Sequence, residues 1–238
     1  MKVTQQIEQI LQAFPIGVVF GYSDLISDPN SKQAAIKALN RKVQKGELVK
    51  LAKGKFYKPE QSIFGTLKVS EQEIVKDFLQ DGEKITGYLT GLSIYNKLGF
   101  TTQVSSVIQI AKNNIRPNLQ RDYYKIHFVL QKNEITENNV PLLQLLDVIR
   151  YIKNIPDTTI EKAIERLAIL ITALSTEQLV EIKELAKKYP PSVRALLGLI
   201  LENENIEADD LLVTLNPIST YNYNISNLFE NAKRWGIK

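Results

Sequence analysis

The sequence predicts an α+β chain: a small mixed N-terminal domain, then a short α/β segment, then a helical remainder. Three observations predict it. Apolar residues recur at helical spacing over residues 3–14. Two short strand-like runs, Leu48–Ala52 and Lys55–Lys58, flank a tight Lys53-Gly54 turn. Beyond Pro141 a helical period prevails. The chain has 238 residues, 44% of them hydrophobic, which suffices for a real core in one or two domains.

Taken in order, Val3, Ile7, Ile10, Leu11 and Phe14 mark a first helix ended by Pro15. Ile16–Phe20 is a β-rich run bounded by Gly21. A short helix over Ser23 to about Ser27 follows, with Ser23 as cap, then an Asp28-Pro29-Asn30 turn. Ser31–Lys45 reads as a longer helix stopped by Gly46, and the basic hairpin closes the set. Helix, short strand, helix, helix, hairpin is the order of a winged helix–turn–helix, placed at residues 1–60. Residues 61–238 form the second domain. It is mixed to about residue 138, with a connection at 59–70, a Ser70-capped helix over Glu71–Leu79 and a loop over Asp81–Lys84. A helix at Leu92–Leu98 and strands at Val104–Ala111 and Tyr123–Leu130 follow, then a polar loop at 131–140. After residue 141 helices are expected at Leu142–Ile152, Thr159–Leu174, Ser175–Tyr189 (opened by a Ser175/Gln178 capping box) and Val193–Leu201, with a final one near Ser226–Trp235.

The charge is local. Residues 31–58 hold nine Lys or Arg and one acid, Glu47, a formal +8 in a chain of net +4, which leaves −4 elsewhere. On a helical wheel Ile36, Leu39 and Val43 form the packed face of the 31–45 helix. Gln33, Lys37, Asn40, Arg41 and Gln44 form a second, acid-free face. Such a stripe suits a major groove, where Arg and Lys read guanine and Asn or Gln read adenine. Ser31, Lys32 and Gln33 start the helix, the end that points into the groove and whose free N–H groups suit a phosphate. Lys53 and Lys55 flank the hairpin tip, placed for the backbone or an adjacent minor groove. Lys42, Lys45, Lys50 and Lys58 supply field rather than contacts. Phe56 and Tyr57 are expected in the core beneath the hairpin.

The run GYSDLI…KQAAIKALNRKVQKGELVKLAKGKFYKP resembles the N-terminal winged-helix domain of AbiEi-type antitoxins, from bacterial type IV toxin–antitoxin and abortive-infection systems. The block TGLS-x-YN-x-LG-x-TTQV within residues 87–111 is similar to the segment that follows in a branch of that family. So are NVPLLQLLDVIRYIKNI at 139–155 and YPPSVRALL at 189–197. The resemblance implies a DNA-binding antitoxin. Its winged helix would bind inverted repeats in double-stranded DNA of the operon promoter and repress it. Its C-terminal domain would oppose a nucleotidyltransferase-like toxin without a stable complex. Carried over by position, the DNA-contacting residues fall in Ser31–Arg41 and at Lys53–Lys55. A plain transcriptional regulator with no toxin partner, a protein-interaction module holding its partner on residues 141–201, and an RNA-binding winged helix are the alternatives.

Enzymatic function is not expected. With no cysteine, thiolate nucleophiles and disulfides are excluded, which fits a reducing cytoplasm. The one histidine, His127, excludes the usual zinc arrangements and reads as a hydrogen-bonded structural residue. Thr90, Ser93, Thr101 and Thr102 lack a visible base and read as turn-forming, with Asn96 and Gln103 fixing the turn at Gly99. The acids Glu202, Glu204, Asp209 and Asp210 read as solvated. No cofactor, metal or membrane partner is expected. The polar start MKVTQQIEQ is no signal peptide, and the longest apolar runs fall far below a membrane span.

Overall fold

The computed structural model describes residues 3–26, 28–63, 65–67 and 69–238 and has an α+β architecture. The chain separates into two compact units, residues 1–77 with 119–124, and residues 78–118 with 125–238. The first therefore runs past the expected boundary at residue 60 and takes in a second, later segment.

In the first unit, α1 (Val3–Ala13) packs on α2 (Lys32–Gln44), with β1 (Val19–Gly21) and a 3-10 turn (Pro29–Ser31) between them in sequence. A hairpin follows, β2 (Val49–Ala52) and β3 (Lys55–Tyr57), and β1 adds to it antiparallel in the order β1-β3-β2. Ile7, Leu11, Phe20, Leu25, Leu39, Leu48 and Phe56 make the core. The rings of Phe14, Phe20, Tyr22 and Phe56 chain together at centroid separations of 4.9–6.4 Å. The face that α2 buries is centred on Ala35, Ala38 and Leu39, not on Ile36, Leu39 and Val43. Two alanines let α1 approach closely, which rotates the seam toward them. Ile36 is left half-buried and Val43 at the edge of the core.

The short helix expected at Ser23–Ser27 is instead a turn in which the N–H groups of Leu25 and Ile26 both donate to the Tyr22 carbonyl. Ser27 lies outside the described residues. The connection at 59–70 contains a small exposed hairpin, β4 (Glu60–Ser62) and β5 (Gly65–Leu67). Phe64 lies outside the described residues. Next comes α3 (Glu71–Leu79), where the Glu73 N–H donates to Ser70 Oγ at 3.3 Å.

The second unit opens with a two-residue-loop hairpin, β6 (Gln80–Asp81) and β7 (Lys84–Ile85), where a plain loop was expected. Then come β8 (Gly87–Thr90), α4 (Leu92–Lys97) and β9 (Val107–Lys112). β10 (Leu119–Arg121) belongs to the first unit's later segment, and β11 (Tyr124–Leu130) follows. β9 pairs antiparallel with β8 and parallel with β11, which sets Gln109 opposite both Thr90 and His127. Asn96 Nδ2 donates to the carbonyls of Thr101 and Gln103, and Thr101 Oγ1 accepts from the Gln103 N–H, so these side chains fold the chain back after α4.

The helices are α5 (Val140–Tyr151), α6 (Ile160–Thr172), α7 (Thr176–Ala186), α8 (Pro191–Asn203) and the short α9 (Asp209–Leu212). Thr159 caps α6, and Ser175 with Gln178 forms the capping box of α7. Val193 and every residue from Ala195 to Leu201 are buried, so α8 is wrapped on all sides, with α5, α6, α7 and α9 packed on it. The single tryptophan, Trp235, packs against α8 at Gly198. Residues 226–236 are turns, not the expected final helix; they are held by the pairing of Tyr221 with Ile237 and by side chains. Arg234 bonds Glu202 and Asp209, Trp235 Nε1 donates to Glu202, and Asp210 pairs with Lys183 at 3.2 Å. The acids expected to be solvated are thus structural ion-pair partners, Glu204 excepted.

The loop at 131–140 is present, but it sends part of its polar sequence inward. Gln131, Asn133 and Asn139 are buried. Behind them Asp147 is 2% exposed and accepts from Tyr88 OH at 2.9 Å, Thr90 Oγ1 at 2.8 Å and Tyr189 OH at 2.9 Å. Gln131 Nε2 donates to both tyrosine hydroxyls at 2.8 Å. Burial and the Asp147 charge push both tyrosines well above the ordinary phenol range, so they stay donors. No helix among the described residues is long and apolar enough to cross a membrane.

Candidate nucleic-acid interface

Packing in the first unit decides which polar side chains of α2 stay free. With Ala35, Ala38 and Leu39 inward, Lys32, Gln33, Lys37, Asn40, Arg41 and Gln44 are all exposed. Gln33, Lys37, Asn40, Arg41 and Gln44 follow one another at i, i+4, i+7, i+8 and i+11, a single stripe along the helix, with Lys32 beside its start. No acid lies on α2, and Arg41 and Lys42 fall in its last turn, where they oppose the dipole. The helix stops sharply. Gly46, at φ +73°, lets its own N–H donate to Val43 and that of Glu47 to Lys42, the Schellman pattern. Gly54, at φ +77°, turns the hairpin and lies under the Tyr22 ring, where a Cβ would come within 3.0 Å of the ring carbons.

Asp28 organises the 3-10 turn ahead of α2: its carboxylate accepts from the Asn30 N–H at 3.0 Å, Asn30 Nδ2 at 3.1 Å and Ser31 Oγ at 3.4 Å. Ser31 is the N-cap of α2 and its side chain makes no cap bond to the helix. Ser31 is half-buried and spends its hydroxyl on this turn.

The nine basic residues divide by use. Lys53 is exposed at the hairpin tip. Lys55 is half-buried and pairs with Asp77 on α3 at 3.3 Å. Asp77 also takes both Nη atoms of Arg121, at 2.5 and 2.7 Å, and Arg121 donates further to the Ile74 carbonyl at 2.6 Å. Burial alone would raise the Asp77 carboxyl, but the Arg121 bonds and charge, with Lys55, hold it below the usual carboxylate range. Lys55 therefore braces the hairpin. Lys42 pairs with Glu47 at 2.6 Å, and Lys58 Nζ donates to the carbonyls of Gln12 and Phe14, where it caps the end of α1. These two are structural, beyond the general field expected of them. The side chains of Lys32, Lys37, Arg41, Lys45, Lys50 and Lys53 make no hydrogen bond or ion pair to a described residue. Phe56 and Tyr57 are buried, so neither offers a stacking surface.

The second unit holds a concavity that the sequence did not suggest. The His127 imidazole makes no hydrogen bond to a described residue. It is half-buried on β11 and lines a groove of about 480 Å³ with Gln109, Tyr95, Tyr151 and Asn154. The structural, hydrogen-bonded histidine expected from YYKIHFVL is not found, because β11 presents that position to the sheet face beside Gln109 rather than to the core.

The fold is similar to that of the RV2827C protein from Mycobacterium tuberculosis, whose crystal structure aligns at a TM-score of 0.61 and 13% identity, over 94% of this chain and 85% of that one. At that identity the likeness is one of fold. No curated protein matches the chain. A model described as a family of unknown function, DUF6088, matches residues 6–179, from α1 into α7 and well over half of the sequence. The chain belongs to the DUF6088 family.

Proposed function

We propose that the first unit is a winged helix–turn–helix that binds double-stranded DNA, with α2 as its recognition helix and the Lys53-Gly54 hairpin as its wing. The observation that carries this reading is the exposed, acid-free stripe Gln33, Lys37, Asn40, Arg41 and Gln44 beside a lysine-tipped turn. Side chains of these types read base edges, and unpaired lysines neutralise phosphates. Lys32 and Lys53 take phosphate positions. On the resemblance to AbiEi-type antitoxins, the chain represses its own operon and opposes a nucleotidyltransferase-like toxin through the second unit. It is not an enzyme and works in the cytoplasm.

Fluorescence anisotropy against a duplex taken from upstream of the reading frame tests the DNA assignment, with a random duplex and a structured RNA as competitors. Lys37→Ala and Arg41→Ala should each weaken the cognate duplex by roughly 1–3 kcal/mol and the random one far less. Lys53→Ala should weaken both duplexes alike and reduce the salt slope by about one unit. Cognate binding left intact by combined Lys37→Glu and Arg41→Glu would sink the groove assignment, and preference for the RNA would move the function to RNA.

A further inference from the structure

In the second unit, Lys132 just after β11, Arg150 in the last turn of α5 and Lys188 just past α7 open onto one cavity of about 250 Å³. All three are exposed, no acid lines the cavity, and none of the three side chains makes a hydrogen bond or ion pair to a described residue. The Arg150 guanidinium carbon lies 5.2 Å from the Tyr151 centroid, and its charge also acts on the buried Asp147. The neighbouring Lys187, by contrast, is spent on Glu184.

The floor is built and rigid. Gln131 and Tyr189 form it, and both are buried. Gln131 Nε2 donates to two tyrosine hydroxyls, and Gln131 Oε1 accepts from the Asn133 N–H at 2.8 Å. Tyr189 donates to Asp147, which lies behind the floor and offsets part of the positive charge. With every floor group satisfied, recognition falls to the three cations. Pro190 and Pro191 close one side at the start of α8, adding the positive end of its dipole but no N–H of their own.

We propose that this cavity binds a phosphate or diphosphate group of a small ligand. Three convergent cations with no acid ask for more than one negative charge, and a guanidinium fork suits phosphate oxygens. The volume falls below the roughly 300–1,000 Å³ of sites that enclose a drug-sized molecule, so it takes a small anion or the charged end of a larger one. The site is separate from the α2 stripe and stands or falls without it.

Inorganic pyrophosphate is the probe, titrated into the full chain by calorimetry at fixed ionic strength, with orthophosphate and sulfate for comparison. Saturable binding is expected, and Arg150→Gln with Lys188→Gln should weaken it at least about ten-fold while the ligand-free Tm stays put. Binding that is absent, or equal in wild type and double variant, overturns the proposal. So does a double variant that ignores pyrophosphate as wild type does but loses affinity for single-stranded RNA or duplex DNA, which would make the cavity a seat for a nucleic-acid backbone. If the double variant fails to fold, Lys132→Gln alone carries the same comparison.

Discussion

Asp147→Ala is expected to lower the stability of the second unit by roughly 3–5 kcal/mol, read as a drop in the urea midpoint at unchanged slope. The carboxylate accepts from the hydroxyls of Tyr88, Thr90 and Tyr189, and Tyr189 OH also reaches the Leu143 carbonyl at 3.3 Å. Gln131 already donates to both tyrosine hydroxyls, which leaves their own protons for acceptors such as Asp147. Removing the acceptor strands the buried Tyr88 and Thr90 donors, each at a cost of about 1–3 kcal/mol before relaxation, and leaves Tyr189 only the longer bond to the Leu143 carbonyl. For a domain worth about 5–15 kcal/mol in all, that is a large fraction.

Asp147→Asn should lose less, because one oxygen survives. The two variants separate the hydrogen bonds from the charge through pH. Burial pushes the Asp147 carboxyl above its ordinary range, against the three hydroxyls that favour the anion. A raised native pKa means that the fold holds the proton more tightly than the unfolded chain does. That contribution is full below the ordinary aspartate pKa and is lost as pH rises through the native value. Only the wild type titrates at this position, so its advantage over Asp147→Asn should shrink with rising pH. An advantage that grows with pH would show that the hydroxyls, not burial, set the balance.

Gly198→Val should be as damaging, at about 3 kcal/mol or more. Valine would add helix propensity over glycine in the middle of α8, which favours the variant by a few tenths of a kcal/mol. Packing decides the sign. A Cβ at Gly198 would stand 2.1 Å from Cη2 and Cζ3 of Trp235, and that indole is 1% exposed. Overpacking of this kind costs about 1–3 kcal/mol for a methyl group and more for a branched chain. Gly198→Ala should therefore fall between valine and wild type. The single tryptophan reports on the site directly: displacement of the indole should redshift its emission before unfolding begins. A variant with native emission and an unchanged midpoint would refute the contact.

How legible these features were depends on how local they are. The α2 helix, its Gly46 stop, the Lys53-Gly54 turn and the Ser175 box are each written within a few residues, and all are found where the sequence places them. The inward face of α2 is not local. It depends on how closely α1 approaches, and alanines that look neutral on a wheel become the seam. The Asp28 turn, by contrast, is local, since Asp-Pro-Asn is a turn-forming sequence. The Asp147 cluster was out of reach. Its partners lie 42–59 residues away in sequence, and Gln131 and Asn133 sit in a run whose composition is that of a loop. His127 misleads for the same reason: a strand with apolar neighbours says nothing about which face is covered.

The brace behind the hairpin also orders events in time. Lys55 leans on Asp77, and Asp77 is locked by Arg121, which reaches this unit only after the chain has left it at residue 77 and come back at residue 119. A ribosome delivers residues one after another. The basic helix and its turn are therefore synthesised early but wait, without their clamp, until codon 121 has been read and its arginine has cleared the exit tunnel.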